Sequence, residues 1–598
     1  MSKAWQIAEA VPQEFKEKFP EINPVALQLL YNRGLDNQEK IDEFFNPDYE
    51  ADIHDPFLFV DMPKAVERIF QAIEDGEKIM VHGDYDADGV SSSVIMVSVL
   101  KKLVELFGQA NKADELIDIF IPHREEDGYG LNKKNVEKFI KQKINLLITV
   151  DCAVTDKEEV ALAKKGGIDV IITDHHQEPL ELPKPYAIIN PSLKKEKYPF
   201  KFLSGAGVAF KVAQALIATA KDKITDQNWE GFEKWLLDIV AIGTVADVVP
   251  LLGENRTLVK YGLVVLNKTP RLGLQALFHK AGIGGNGNVG NGLRDALPKI
   301  GLNTYSIAFQ IAPRINAAGR MDHASTAYAL LMTEDIAEAE GLSDQLQASN
   351  VARQGLTESI MTEAVKEFKS QAADGQKILV ALGQGWPTGV LGLVAGKLCD
   401  KFARPAVVAS VFDGKIVGSG RSVAEFNIVA ALQKMDQHFS DYGGHPAACG
   451  FTLKNNDDFL KFKAELQQAA SDSLTGEDLN PVLDIEAKID LAEVTWGLYD
   501  ELEKMEPFGE ANFRPRFAMY SLEVESVARM GKDQSHLKIL IKQPNGMIRK
   551  LIGFGLADDF GDLKRGDKID AVVDVGINEW NGNRELQLKI IDLKRSNN

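Results

Sequence analysis

The chain has 598 residues, with 87 Asp plus Glu against 68 Lys plus Arg and a formal charge of −19. That length exceeds what one hydrophobic core serves and implies several domains, while 45% apolar and 26% charged residues are the proportions of a soluble globular protein. No apolar run reaches the ~18–20 residues of a membrane span, the start MSKAWQIAEA lacks a signal peptide's order, and Cys152, Cys399 and Cys449 form neither a disulfide framework nor a zinc spacing, so a reducing cytoplasm is expected.

Residues 1–60 read as an N-terminal extension packed on the domain that follows. From 61 to 270, apolar runs (KIMV, IDIFIP, NLLITV, IDVIIT, YAIIN) alternate with helical stretches such as 62–75 and 156–166. That is the rhythm of a parallel α/β sheet covered on both faces. Residues 271–370 read as a helical connector whose Gly282–Gly292 stretch, mostly Gly and Asn, is a flexible loop by composition. A smaller α/β domain follows at 371–475, with KILVAL, PAVVASVF and KIVGSG as strands. Residues 476–598 change texture. Short alternating runs from FAMYSLEVESVA to RELQLKIIDLK, broken at Pro544-Asn545-Gly546 and Asn581-Gly582, predict an all-β barrel or sandwich. The charge is uneven as well: residues 511–598 hold 15 Lys plus Arg against 12 Asp plus Glu. The acidic total, which alone speaks against a nucleic-acid partner, therefore does not describe this segment.

The chemistry concentrates in KIMVHGDYDADGVSSS. A strand ends at Val81, and His82, Asp84, Asp86 and Asp88 follow within seven residues. Three carboxylates at alternate positions repel one another and are costly to bury without a cation. Alternate residues of extended backbone point the same way, so Asp84 and Asp86 can face one centre. A calcium-type or merely solvated acidic loop fits this segment equally when it is taken alone. The next strands shift the balance: NLLITV runs into Asp151, and IDVIIT runs into Asp174-His175-His176. In parallel α/β sheets ligands gather at the carboxyl ends of strands. Asp151 or Asp156 can also serve as a helix cap. Asp247 lies within LLDIVAIGTVADVVPL, where a buried carboxylate needs a partner. Mixed carboxylate and imidazole ligands suit manganese or magnesium better than zinc. So many ligands point to two ions roughly 3.5–4 Å apart, the arrangement used for phosphoryl hydrolysis.

These segments resemble the motifs of the DHH phosphoesterase superfamily, and among its members the RecJ-type single-stranded-DNA exonucleases. His82-Gly83-Asp84-Tyr85-Asp86-Ala87-Asp88-Gly89, Val150-Asp151-Cys152, Asp174-His175-His176 and Gly243-Thr244-Val245-Ala246-Asp247 resemble its four metal motifs in order. The resemblance implies His82, Asp84, Asp86, Asp151, His175 and Asp247 as ligands of two manganese ions or of manganese with magnesium. It also implies Asp151 as the bridging ligand and His176 as a contact of the scissile phosphate, making these two the catalytic residues. Asp88 and Asp174 match the motifs in supporting roles. Segments around Arg314, Asn316 and Arg320, around Arg353 and Gln354, and around Ser419, Arg421, Ser422, Gly444 and His445 are similar to the family's substrate-binding stretches. The last group lies in what resembles the DHH-associated domain, and Glu506-Pro507-Phe508-Gly509 with the β-rich tail resembles the junction and oligonucleotide-binding fold. Two departures stand out. Pro387 follows Trp386 where His is frequent, which leaves Trp386 as a substrate contact or as core, and Cys449 replaces a small residue.

The residues themselves are compatible with this assignment. Arginine forks suit phosphate oxygens, although each of Arg314, Arg320 and Arg421 can equally make a structural salt bridge. In the tail, Lys538, Lys542, Arg549 and Lys550 are basic candidates, and Phe554 and Trp580 are aromatic ones. Cys152 fits a small buried apolar role better than a nucleophile. The resemblance implies a cytoplasmic, monomeric exonuclease that degrades single-stranded DNA 5′ to 3′ to nucleoside 5′-monophosphates in repair and recombination, with single-strand-binding protein and a helicase as partners. The alternatives are a phosphodiesterase for short oligoribonucleotides or cyclic dinucleotides, a pyrophosphatase, and a catalytically dead scaffold.

Overall fold

The computed structural model describes residues 3–224, 227–283, 301–474, 479–542, 546, 548–580 and 582–596. The Gly/Asn-rich stretch beyond Ile283 and the turn residues Pro544, Asn545 and Asn581 lie outside the described residues, as does the Trp580 side chain. The chain divides into two units, one of residues 49–249 and 257–479, the other of residues 1–48, 250–256 and 480–598.

The larger unit is built on a five-stranded parallel sheet. Its spatial order is Ile117–Phe120, Ile79–His82, Leu146–Val150, Asp169–Thr173, Ala187–Ile189. Runs such as IMVH and LLITV are buried at every residue, which is why they read as continuous apolar stretches rather than alternating ones. Helices Ala87–Val104 and Gly205–Lys223 pack against each other beside the sheet. Val136, Phe139, Val160 and Ala163, from helices Lys133–Lys141 and Lys157–Lys165, share a core with Met80, Leu147, Val170 and Ile172. Each such large apolar side chain contributes roughly 1.5–3 kcal/mol on burial. The strand order reverses direction between Ile79–His82 and Leu146–Val150, and such a switch point opens a crevice at the carboxyl edge.

A helical run follows: Thr304–Ser306, a π-helical turn Ile307–Ile311, Ala312–Met321, Ser325–Met332 and the 38-residue Ile336–Ala373. The second sheet is ordered Phe439–His445, Ala448–Leu453, Lys415–Arg421, Ala406–Phe412, Leu379–Gln384, and only its last pair is parallel. Its first two strands form a hairpin that the Gly-rich segment conceals in the sequence. Trp386 is 9% exposed and packs in the core with Ile360, Val390 and Leu391, so it is core.

The smaller unit contains a barrel. Strands Phe517–Met530, His536–Lys542, Ile548–Gly553, Asn583–Arg595 and Lys568–Trp580 pair in that order, and Lys568–Trp580 pairs back to Phe517–Met530. Closure removes the open edges of the sheet. The N-terminal extension departs from expectation here. Residues 1–48 belong with the barrel rather than with the α/β domain. Strand Ala4–Ile7 pairs in parallel with Val482–Ile485, and Phe15, Leu27, Leu30, Ile41 and Phe44 join one core with Leu498, Met505, Phe517 and Leu551. The cause is composition, since three short helices with apolar faces need a core that their own length cannot build. In the same unit Arg256 is buried and donates to the carbonyls of Phe44, Lys504, Met505 and Glu506, with its guanidinium 3.9 Å from the Phe44 ring centroid. Through it the Glu506-Pro507 junction is tied to the N-terminal helices.

Candidate metal centre

His82 closes its strand, and the chain turns through Asp84 into helix Ala87–Val104. Asp86 caps that helix, its Oδ1 accepting from the amides of Asp88 (2.9 Å) and Gly89 (3.0 Å). Asp88 is buried and accepts from the Gly205 and Ala206 amides at 2.7 and 2.9 Å, at the N-terminus of helix Gly205–Lys223. Its carboxylate therefore locks two helices together beside the site. Asp151 follows Val150 with φ of +63°, a left-handed conformation rare outside glycine and typical of strained functional positions. Its amide donates to the Thr173 carbonyl at 2.9 Å, while its carboxylate sits where a Cβ on Gly205 would come within 2.4 Å of Oδ1. Only glycine permits that approach.

Asp174 is fully buried and accepts from the amides of Val154, His175 and His176 and from His176 Nδ1 at 2.7 Å. It fixes the histidine pair from behind. His175 Nε2 lies 3.2 Å from Asp151 Oδ1 and 3.5 Å from Asp247 Oδ2. The ligand atoms of Asp84, Asp86 and Asp151 lie within 4.8 Å of one another, as do those of Asp151, His175 and His176, and those of Asp88, His175 and Asp247. Asp151 and His175 each belong to two of these groups. His82 belongs to none of the three.

The electrostatics reflect crowded, buried carboxylates. Burial, then the charge of Asp86, pushes Asp84 far above the usual carboxylate range. Burial and the charges of Asp88, Asp86, Asp247 and Asp84 do the same to Asp151, and burial with Asp88 and Asp86 raises Asp247 to about 9. Burial lowers His82 and His175 to about 4, so both are neutral and able to ligate. Burial would lower His176 too, but its hydrogen bond to Asp174 and the nearby carboxylates prevail and hold it at about 9. Four buried atoms have no hydrogen-bond partner here: His82 Nε2, Asp84 Oδ1, Asp151 Oδ1 and His175 Nε2. Buried polar atoms without partners are rare and need an explanation. A divalent cation supplies one for Asp84, Asp151 and His175, whose ligand atoms fall in the converging groups, and these residues fit that ion.

The arginines divide. Arg320 is half-buried and donates to the Gly389 carbonyl at 3.0 Å, joining the helical connector to the second α/β region. Burial and the charges of Arg124, Arg353 and Arg421 lower it to about 10. Cationic charge therefore gathers around Arg320, and guanidinium forks suit the oxygens of an anion. Arg421 donates to the Gly420 carbonyl at 2.9 Å and lies 3.3 Å from Ser419 Oγ. Asn316 Oδ1 accepts from the Ala87 amide at 2.8 Å, which places it beneath the acidic loop as a support. Ser422 Oγ is held by the Phe426 carbonyl at 2.6 Å. Arg314 is held by Gln310 and Gln347, Gln354 is exposed, and Gly444 and His445 are exposed at the end of their strand.

Sequence reasoning missed Arg124 and Tyr129. Arg124 donates to the Gly319 carbonyl at 3.1 Å and stacks 3.9 Å from the Tyr85 ring centroid. The Tyr129 hydroxyl lies 3.1 Å from His176 Nδ1 and 3.2 Å from the Asp151 carbonyl. The signal was present in PHREEDGYG, whose paired glycines on either side of an aromatic mark a built loop. Cys152 is buried with its thiol pushed upward by burial, an inert core residue.

The family models for the DHH family N-terminal domain, the DHHA1 domain and the RecJ OB domain match residues 78–244, 375–472 and 485–592. The chain is 37% identical over 573 residues to the single-stranded-DNA-specific exonuclease RecJ of Bacillus subtilis, covering 96% of this chain and 68% of that one. It is 32% identical to the Escherichia coli RecJ of the same description, over 88% of this chain and 89% of that one. Among solved structures, RecJ of Thermus thermophilus in complex with Mn2+ superposes with a TM-score of 0.79 at 27% identity, covering 100% of this chain and 80% of that chain. The same protein has also been solved with Mg2+, with a TM-score of 0.74, 27% identity and coverage of 100% of this chain and 79% of that chain. By these matches, and by the motifs that form the metal centre, the chain belongs to the RecJ family of single-stranded-DNA-specific exonucleases in the DHH superfamily.

Proposed function

We propose that the chain is a metal-dependent exonuclease that hydrolyses single-stranded DNA from the 5′ end and releases nucleoside 5′-monophosphates. The observation that carries the reading is the convergence of Asp84, Asp151 and His175 with Asp86 and Asp247 at one strand edge, with buried ligand atoms of Asp84, Asp151 and His175 that make no hydrogen bond. Two divalent cations, manganese or magnesium, supply when bound an activated water and neutralisation of charge on the phosphate oxygens. Asp84, Asp86 and Asp151 would hold one, and Asp151, His175 and Asp247 the other, with His82 completing the first set. His176, kept protonated by Asp174, donates to a non-bridging oxygen of the scissile phosphate. Arg320, Arg421, Arg124 and Arg353 receive the adjoining phosphate, which sets how far the strand enters. A channel between the two α/β regions too narrow for duplex accounts for strand selectivity.

In the barrel, Arg549, Lys550, Arg584 and Trp496 line a groove of about 330 Å³ suited to a single strand. Lys538, Lys542 and the exposed Phe554, whose ring lies 5.7 Å from Lys589 Nζ, extend the same chemistry. Among the described residues no helix is long and apolar enough to cross a membrane. Cytoplasmic location, a monomeric state, and single-strand-binding protein and a helicase as partners belong to this reading. So does a role in repair and recombination.

The test is digestion of 5′- and 3′-labelled oligonucleotides, single- and double-stranded, with manganese, magnesium or EDTA. Mononucleotide release from the 5′ end of single strands alone, abolished by EDTA, is expected. Activity that survives EDTA, or release from the 3′ end, overturns it. Preferential turnover of short oligoribonucleotides or cyclic dinucleotides would favour the phosphodiesterase alternative instead.

A further inference from the structure

The histidine pair at the metal centre is held firmly by its backbone and less firmly by its rings. The His175 carbonyl accepts from Ser192 Oγ at 2.8 Å, and the His176 carbonyl from Asn190 Nδ2 at 2.9 Å. Both histidine amides donate to Asp174 Oδ1, at 2.7 and 3.1 Å, and the same oxygen takes His176 Nδ1 at 2.7 Å. The His176 side chain nevertheless stays 35% exposed. One hydrogen bond fixes a point on a ring and leaves its tilt open, because the χ2 torsion of histidine is broad. A second contact has to set it.

Tyr129 makes that contact. Its hydroxyl lies 3.1 Å from His176 Nδ1 and 3.5 Å from Nε2, so it faces the ring edge between the two nitrogens. The hydroxyl donates to the Asp151 carbonyl at 3.2 Å, which leaves its oxygen toward the imidazole as an acceptor. The two rings meet edge to face, with centroids 5.6 Å apart. The loop that carries Tyr129 is built to hold it in place. Asp127 accepts from the His123 amide and from Asn135 Nδ2 at 2.9 and 3.1 Å, and the Leu131 amide donates to Asp156 Oδ2 at 2.6 Å. A Cβ on Gly130, whose φ is +76°, would come within 2.4 Å of that same Asp156 oxygen. Tyr129 itself is 44% exposed, so packing does not account for an aromatic here. A hydroxyl with two partners does.

We propose that Tyr129 is a positioning residue of the hydrolysis: hung from the Asp151 carbonyl, its hydroxyl sets the tilt of the His176 ring and so the direction in which that ring meets the scissile phosphate. The proposal rests on the exonuclease reading and deepens it, since His176 is the phosphate contact there. Tyr129 acts through His176 and touches no reacting atom. A misdirected donor costs rate rather than affinity, because the bound strand keeps its other contacts.

The experiment compares wild type, Tyr129→Phe, His176→Ala and the double variant in the full chain, on a single strand of DNA across a manganese series. Tyr129→Phe keeps the ring and is expected to lower kcat about 10–100-fold, the cost of a misaligned reacting group, with KM within about threefold of wild type. The manganese concentration for half-maximal activity is expected to stay that of wild type. In the His176→Ala background the same substitution is expected to change kcat less than about twofold, since the group it orients is gone. A wild-type kcat in Tyr129→Phe overturns the proposal. So do losses that multiply in the double variant, as an independent substrate contact gives, and a loss that extra manganese restores, as support of Asp151 alone gives. A harmless Tyr129→Phe beside a damaging His176→Ala sinks this proposal and leaves the exonuclease reading standing. An inactive wild type, or full turnover by His176→Ala, sinks the role that reading gives His176 and this proposal with it.

Discussion

The two α/β sheets of the larger unit put functional groups in different places. In the parallel sheet they sit beyond the strands. Asp84, Asp151 and His175 all follow a carboxyl edge, where loops converge and carboxylates are buried against one another. In the mostly antiparallel sheet they lie along the strands: Ser419 and Arg421 belong to Lys415–Arg421, and Gly444 and His445 to Phe439–His445. Alternating strand residues present a solvated face, whereas parallel strand ends converge on a crevice. The first arrangement concentrates negative charge at a cost that only a cation offsets. The second spreads cationic and small residues over a surface that a polyanion can cover. Chemistry is therefore expected to depend on the first sheet and affinity on the second.

The sharpest way to break that division is to exchange one group on each side. Asp151→Asn keeps size and shape but removes the charge shared by two ligand groups. Hydrolysis should fall by about 10³-fold or more, the scale of losing a principal charge-stabilising group, with an unchanged circular dichroism spectrum. Retained turnover would remove Asp151 from the centre. Arg421→Ala should act mainly on KM, lowering kcat/KM by about 10–100-fold, as loss of a charge-assisted phosphate contact does. Arg421→Lys should recover only part, since a lysine lacks the fork. If Arg421→Ala lowers kcat alone, the surface does more than bind.

The smallest effect concerns stability. Asp88 and Asp247 have folded pKa values raised to about 7 and about 9, mainly by burial, and burial also raises Asp84 and Asp151 well above the usual carboxylate range. The folded chain without metal thus binds more protons than the unfolded one, so its stability falls as pH rises from about 4 toward 9. EDTA-treated protein should lose several degrees of Tm between pH 6 and pH 9, and manganese should restore more at pH 9 than at pH 6. A flat apo Tm across that range would show that the carboxylates are not crowded as described.

Much of the metal centre was legible because its residues follow apolar strand runs directly. NLLITV-Asp151 and IDVIIT-Asp174-His175-His176 place side chains at one edge as soon as the sheet is parallel. The division of labour among the acids was less legible. That Asp86 caps a helix and Asp88 bridges to Gly205 depends on a helix more than a hundred residues away. Tyr129 and Arg124 reach the site through a loop, where periodicity says nothing about direction. Asn316 looks like a substrate ligand in sequence, yet its oxygen is taken by the Ala87 amide. The misplacement of residues 1–48 has the same origin: short amphipathic helices declare that they need a core, not which core.

The most direct test of the central claim is the manganese content of the site itself, located by anomalous scattering in crystals grown with the metal. The account predicts two peaks roughly 3.5–4 Å apart, as two-metal hydrolases show, both within ligand distance of Asp151, and one of them next to His175. A single peak, or a pair that does not share Asp151, would contradict it.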